Sequence, residues 1–244
     1  MTLLVATDLV RRFRGLAAVD GLSFEVRAGE ALAIIGPNGA GKTTLFNLLS
    51  GLLPPHAGRI ELDGADITRE RPHRRCHRGI GRTFQLVQPF ADLTVLENVM
   101  VGALFGSGGG ANAGATGART AAAGLCERVG LGPKRDAAVS SLTVADRKRL
   151  ELARALATRP RLLLLDEIME GLTPSEERDA IALLREIQAE GVTLLLIEHI
   201  MSTVRDLSDR VLVMDHGTKI AEGDYAQVSR DPAVIEAYLG TDEP

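Results

Sequence analysis

Apolar residues along this chain follow two rhythms that predict two kinds of strand. Leu22, Phe24 and Val26 alternate with Ser23 and Glu25, the period of a half-buried antiparallel strand, and Leu3–Val10 and Ala18–Val26 are predicted to be strands of that sheet. Ala31–Ile35, Arg161–Asp166, Val192–Ile197 and Val211–Met214 are instead short apolar runs, the mark of strands covered on both faces. Gly58–Gly64 reads as a short edge strand with an Asp-Gly turn, and Ile80–Phe84 as a strand ending at Gln85.

Helices are marked by their ends as much as by their apolar faces. Leu45–Leu49 lies in an apolar helix that Gly51 and Pro54-Pro55 stop. Thr94-Val95-Leu96-Glu97 is a capping box opening a helix to about Leu104, and further helices are predicted near Ala118–Val129 and from about Thr143 to Ala157. Thr173-Pro174-Ser175-Glu176 combines a cap, a proline at the first helical position and a closing glutamate, and its helix runs to about Glu190. A last short helix follows Asp231-Pro232 to Leu239. Gly106–Gly117, with six glycines among small polar residues, reads as a surface loop.

Strands alternating with helices argue for a mainly parallel sheet with its ligands at the carboxyl ends of the strands. The opening strands are antiparallel, and the middle of the chain is helical. The predicted fold is α/β: a phosphate-loop nucleotide-binding core over 1–85 and 158–244 carrying an antiparallel β subdomain, with a helical subdomain inserted over 86–157. The 244 residues, 45% hydrophobic, suffice for a sizeable core. A net charge of −4 gives no reason to expect nucleic acid. Cys76 and Cys126 form no disulfide framework, which suits a reducing compartment. No apolar run is long enough to cross a bilayer and Met1–Val10 is a poor signal peptide, so a soluble chain is expected, with any membrane role reached through a partner.

The chemistry begins at Gly36-Pro37-Asn38-Gly39-Ala40-Gly41-Lys42-Thr43-Thr44, which fits the phosphate-loop pattern between a buried strand and an apolar helix. Its glycines let successive N–H groups point at a polyphosphate, Lys42 adds a compact positive charge and Thr43 a hydroxyl for Mg²⁺. Asp166-Glu167 closes an apolar strand: one carboxylate there can hold Mg²⁺, and its neighbour can deprotonate an attacking water. Alone they would be two solvent-facing acids, but a phosphate loop upstream gives them a task. His199 and Gln85 also sit at strand ends, the first able to hydrogen-bond a γ-phosphate oxygen, the second to touch metal or water. The six arginines of 69–82, with His73 and His77, read either as an anion-binding patch or, more plainly, as a solvated helix face, and His73, Cys76 and His77 lack a second ligand pair for a metal.

Phosphate loop, Thr83-Phe84-Gln85, helical insert, Leu142–Leu156, Asp166-Glu167, Gly171-Leu172-Thr173-Pro174 and Ile197-Glu198-His199 occur in the order found in ABC-transporter ATP-binding subunits. The chain resembles that family over essentially its full length. Gly81–Gln85, Leu93–Asn98 and the ending Val234–Gly240 resemble the importers of branched-chain and other hydrophobic amino acids. The resemblance implies an ATPase working with ATP and Mg²⁺. Phe13 would stack on adenine, Gly36–Thr44 bind phosphates, and Thr43, Gln85 and Asp166 serve the metal. Glu167 would be the general base and His199 the γ-phosphate switch. It further implies a second ATP-binding subunit, identical or not, facing this one head to tail. Membrane permease subunits would receive the pair at the cytoplasmic face of the cell membrane, and a solute-binding protein would act indirectly. A soluble non-transport ATPase of the same family is the alternative, although 244 residues leave no room for the long coiled coil or second ATPase domain usual there.

The signature segment departs from the family. Its usual Leu-Ser-Gly-Gly-Gln is here Leu142-Thr143-Val144-Ala145-Asp146, the last four residues expected to contact a partner's ATP. Thr143 with Asp146 still makes a sound helix start. Val144 and Ala145, however, lack the freedom of glycine, and Asp146 brings a negative charge toward a polyanion. Either the backbone N–H groups still serve, or the partner's site works more slowly.

Overall fold

A computed structural model describes residues 1–84, 89–107 and 114–239 of the chain. The chain opens with β1 (Thr2–Phe13), β2 (Leu16–Arg27), β3 (Ala31–Ile35), α1 (Lys42–Ser50), β4 (Ala57–Leu62) and the two-residue β5 (Ala65–Asp66). Then come α2 (Pro72–His77), β6 (Ile80–Arg82), α3 (Val95–Phe105), α4 (Gly114–Arg128), α5 (Val144–Ala157), β7 (Leu162–Asp166) and α6 (Pro174–Ala189). The chain closes with β8 (Thr193–Ile197), α7 (Met201–Leu207), β9 (Arg210–Asp215), β10 (Thr218–Gly223), α8 (Tyr225–Val228) and α9 (Pro232–Leu239). These elements divide into two compact units, Met1–Pro72 with Gln188–Pro244, and His73–Ile187.

The first unit holds both predicted kinds of strand. β2-β1-β4-β5 is an antiparallel sheet in that order. β4 is therefore not the edge expected of Gly58–Gly64. It pairs with β1 from Leu4↔Leu62 to Val10↔Ala57, and β5 takes the edge across an Asp63-Gly64 turn with φ of 52° and 75°. Sequence pattern marks a strand but not its neighbours, which explains the difference. The second sheet of this unit runs β10-β9-β3-β8, with β3 parallel to β8 and β9 and only β10 reversed. All five residues of β3 and of β8 are buried, and the one polar residue among them, Thr193, accepts the Gly29 N–H at 2.9 Å.

In the second unit β6 and β7 pair in parallel from Ile80↔Leu162 to Arg82↔Leu164. Beside them α3, α4 and α5 pack a core of Val95, Leu96, Val99, Ala122, Cys126, Leu142 and Leu150. The boxes predicted at Thr94 and Thr143 are both closed, side chain to backbone in each direction. Thr173 and Glu176 close a third, the Thr173 N–H donating to the Glu176 carboxylate at 2.8 Å and the Glu176 N–H to the threonine hydroxyl at 3.4 Å. Gly114–Gly117, expected within a loop, already belong to α4, because the seating of Ala118, Ala122 and Cys126 in the core carries the helix back through small residues. Of the rest of that expected loop, Gly106 caps α3 and Ser107 follows it, while 108–113 lie outside the described residues. Arginines 69–82 are not uniformly solvated either: Arg75 is buried, and Arg82 is 7% exposed in an ion pair. No described helix is long and apolar enough to cross a membrane.

Candidate functional site

The phosphate loop connects β3 to α1, and its glycines are where the chain needs them. Gly36, Gly39 and Gly41 have φ of 148°, 85° and 101°. A Cβ on Gly36 would lie 2.0 Å from the Met214 carbonyl oxygen, and one on Gly41 2.0 Å from that of Ala18, so strands β9 and β2 close on the loop from two directions. Gly41 is the N-cap of α1 and brings no side-chain cap, and the first turn carries no acid. The first N–H groups of the helix and its positive dipole end are thus kept for an anion. Thr43 is exposed beside them, with Asn38 and Gly39, whereas Pro37 and Thr44 are half-buried and Ala40 is buried. Lys42 is buried, and its ammonium folds across the loop to donate to the Gly36 and Pro37 carbonyls at 2.6 and 2.9 Å. The positive charge is held within the loop itself.

His199 follows β8, whose pairing with β3 sets Ile197 opposite Ile34. Histidine and phosphate loop therefore leave the carboxyl ends of neighbouring strands, and the His199 side chain is exposed there. Phe13 ends β1, 42% exposed, with the Arg11 guanidinium 4.9 Å from its ring centroid. A cleft of about 550 Å³ also borders the loop, lined by Asn38, Gly39, His216 and the carboxylates Asp215 and Glu236. Two acids give that cleft the wrong sign for a polyphosphate, whereas the uncapped start of α1 has the sign that suits an anion. Helix α9 reaches the same loop. Burial pushes the Tyr238 hydroxyl above its ordinary value, and the Gly36 N–H facing it tempers the shift.

In the second unit Asp166 ends β7, buried, and its N–H donates to the Thr83 hydroxyl at 3.2 Å. One of its carboxylate oxygens accepts from Arg82 at 3.1 Å. Burial draws the Arg82 guanidinium below its ordinary value while Asp166 counteracts the shift. Glu167 is half-buried and has a left-handed φ of 48°, a conformation that costs a non-glycine residue about 1 kcal/mol. Its carbonyl accepts from the Lys148 ammonium at 2.8 Å and from the Glu170 N–H at 3.3 Å. Gln85, expected at the end of the neighbouring strand, lies outside the described residues.

The variant signature segment opens α5. Thr143 and Val144 are exposed, Ala145 and Asp146 buried. Asp146 closes the box with Thr143 and takes the Lys134 ammonium at 2.5 Å. Burial opposes its ionisation, but the bonds from Lys134 and Thr143 outweigh it and hold the carboxyl below its ordinary value. Its negative charge is spent within the unit. Among the described residues no cluster of His, Cys, Asp and Glu could hold a metal, and Cys126 is a core residue.

Comparison with known proteins is decisive for the family. Residues 19–170 match the model of the ABC transporter family, and residues 218–244 that of the branched-chain amino acid ATP-binding cassette transporter. The chain belongs to the ABC transporter ATP-binding family. This cassette is 38% identical to the high-affinity branched-chain amino acid transport ATP-binding protein BraF of Pseudomonas aeruginosa, over 98% of each chain. It is equally similar, with the same coverage, to LivG of Escherichia coli K12, which carries the same description. A nucleotide-free ATP-binding cassette from an ABC transporter superposes with a TM-score of 0.89 at 33% identity, over 99% of this chain and 100% of that one. The ADP conformation of such a cassette gives 0.87 at 34% identity, over 99% and 100%. The cassette fold and its nucleotide, ATP, are common to these relatives. Three features of the cassette escaped sequence reasoning: the Arg82–Asp166 pair, Tyr238 beside Gly36 and Lys148 on Glu167. Only Lys148 had a signal, standing four residues after Val144 on the same helical face.

Proposed function

We propose that this chain is the ATP-hydrolysing subunit of an importer of branched-chain or related amino acids. The observation that carries the reading is the near-full-length similarity to proteins described as branched-chain amino acid transport ATP-binding proteins, joined by the match of 218–244 to that group's own model. The site chemistry supports it. The uncapped first turn of α1 and Lys42 would hold the phosphates, with Phe13 stacked on adenine. A hydroxyl and a buried carboxylate are oxygen donors that suit Mg²⁺, so Thr43 and Asp166, with Gln85, would hold the ion, and it would neutralise charge on the phosphates. Glu167 would take a proton from the attacking water, and His199 would donate to the terminal phosphate.

In this reading two such subunits act head to tail, the Thr143–Asp146 segment of each serving the other's ATP. Segment 86–157 is the helical part that receives a membrane permease, and 1–85 with 158–244 the nucleotide core. The pair works at the cytoplasmic face of the cell membrane, fed by a solute-binding protein. The test is to isolate the tagged chain from its own cells in mild detergent. Co-isolation of a permease, with ATP turnover raised by a leucine-loaded binding protein, is expected. A chain that hydrolyses ATP but brings down no membrane protein contradicts the transport role.

A further inference from the structure

We propose that Lys148 is a positioning residue for hydrolysis, fixing the backbone that aims Glu167. The proposal rests on Glu167 being the general base. Lys148 is 8% exposed, and burying an ammonium is costly unless it finds strong acceptors. Among the described residues its hydrogen bond goes not to a carboxylate but to the Glu167 carbonyl, at 2.8 Å. Lys148 lines a cavity of about 210 Å³ together with Leu152, Ile168 and Leu172. The acceptor belongs to the residue at φ 48°, where a side chain is unfavourable and the conformation persists only if its surroundings impose it. With the Glu170 N–H on the same oxygen, both lone pairs of the carbonyl are engaged. Turning Glu167 back to an ordinary backbone angle would swing that peptide off the ammonium, so the bond and the direction of the Cα–Cβ vector are linked.

The same face of α5 makes a second contact with this turn. Val144, one helical turn before Lys148, places Cγ1 3.4 Å from where a Cβ on Gly171 would stand. Helix α5 thus meets the turn at Glu167 and at Gly171, and Lys148 supplies the polar tie.

The experiment compares steady-state ATP hydrolysis and melting of the full chain, assembled with its permease, for Lys148→Met, Lys148→Arg and Glu167→Gln. Methionine keeps the stem and removes the donor. We expect Lys148→Met to lower kcat about 10- to 100-fold, the cost of a catalytic group displaced by about 1 Å, with the KM for ATP little changed. Lys148→Arg should recover much of the rate. In a Glu167→Gln background, Lys148→Met should cost nothing more, because the group it aims is already gone. An unchanged kcat overturns the proposal. So does a loss in which melting temperature and KM move together and arginine gives no rescue, or a loss of equal factor with and without Glu167. Should Glu167→Gln itself retain full turnover, the assignment of the base fails with it, a result separable from failure of Lys148 alone.

Discussion

At the scale of single residues, backbone as well as opposite charge holds the buried charges of the site. Lys42 lies against two loop carbonyls and Lys148 against a third, while Asp146 is neutralised by Lys134. Removing the first of these cations should end nucleotide binding. Lys42→Ala is expected to show no ATP binding by fluorescent-analogue titration and background hydrolysis only; wild-type turnover would defeat the phosphate-loop assignment. Glu167→Gln should bind ATP normally and hydrolyse it about 10²- to 10⁴-fold more slowly, the usual loss for a missing general base. The phosphate loop was legible because its chemistry is local in sequence, glycines and lysine within nine residues. Arg82 against Asp166 was not, since 84 positions separate the pair and only folding introduces them. Gln85 lies outside the described residues, and its role stays an expectation from the resemblance.

At the scale of elements, caps were the most readable feature. The three threonines expected to open helices with an acid three residues on closed their boxes, at Thr94, Thr143 and Thr173. β10 was missed because Thr218–Gly223 has neither an apolar run nor an alternation, and its hairpin turns at His216-Gly217 through two positive φ angles. The cap of α5 has a testable pH signature. Asp146 is held below its ordinary value in the fold, so its stabilisation is fully present above the unfolded carboxylate value, about 3.9, and fades as pH falls through the lower folded one. Asp146→Asn should therefore cost about 1 kcal/mol of stability at neutral pH and nothing under strong acid, read from thermal melts across the range. The same variant should leave neutral-pH ATP turnover within about twofold, because a charge already paired exerts little outside field. A large acceleration would show that Asp146 repels the nucleotide after all.

At the scale of the whole molecule, the class of the expected strands could be read but their places could not. Fully apolar runs became the parallel strands β3, β7, β8 and β9, and the alternating ones the antiparallel sheet. β4 moved inward from the expected edge because pairing is a tertiary choice. The tail gained importance that its composition did not announce: α9 borders the cleft beside the phosphate loop, and 218–244 carries the match specific to branched-chain amino acid cassettes. Transport by this chain is tested most directly by uptake of radiolabelled leucine in cells from which its gene is deleted. Wild-type chain supplied in trans should restore uptake, whereas Lys42→Ala and Glu167→Gln, expressed at equal level, should leave it at the background of the deletion. Uptake unaffected by the deletion, or restored equally by Glu167→Gln, would contradict the claim that ATP hydrolysis at this site drives import.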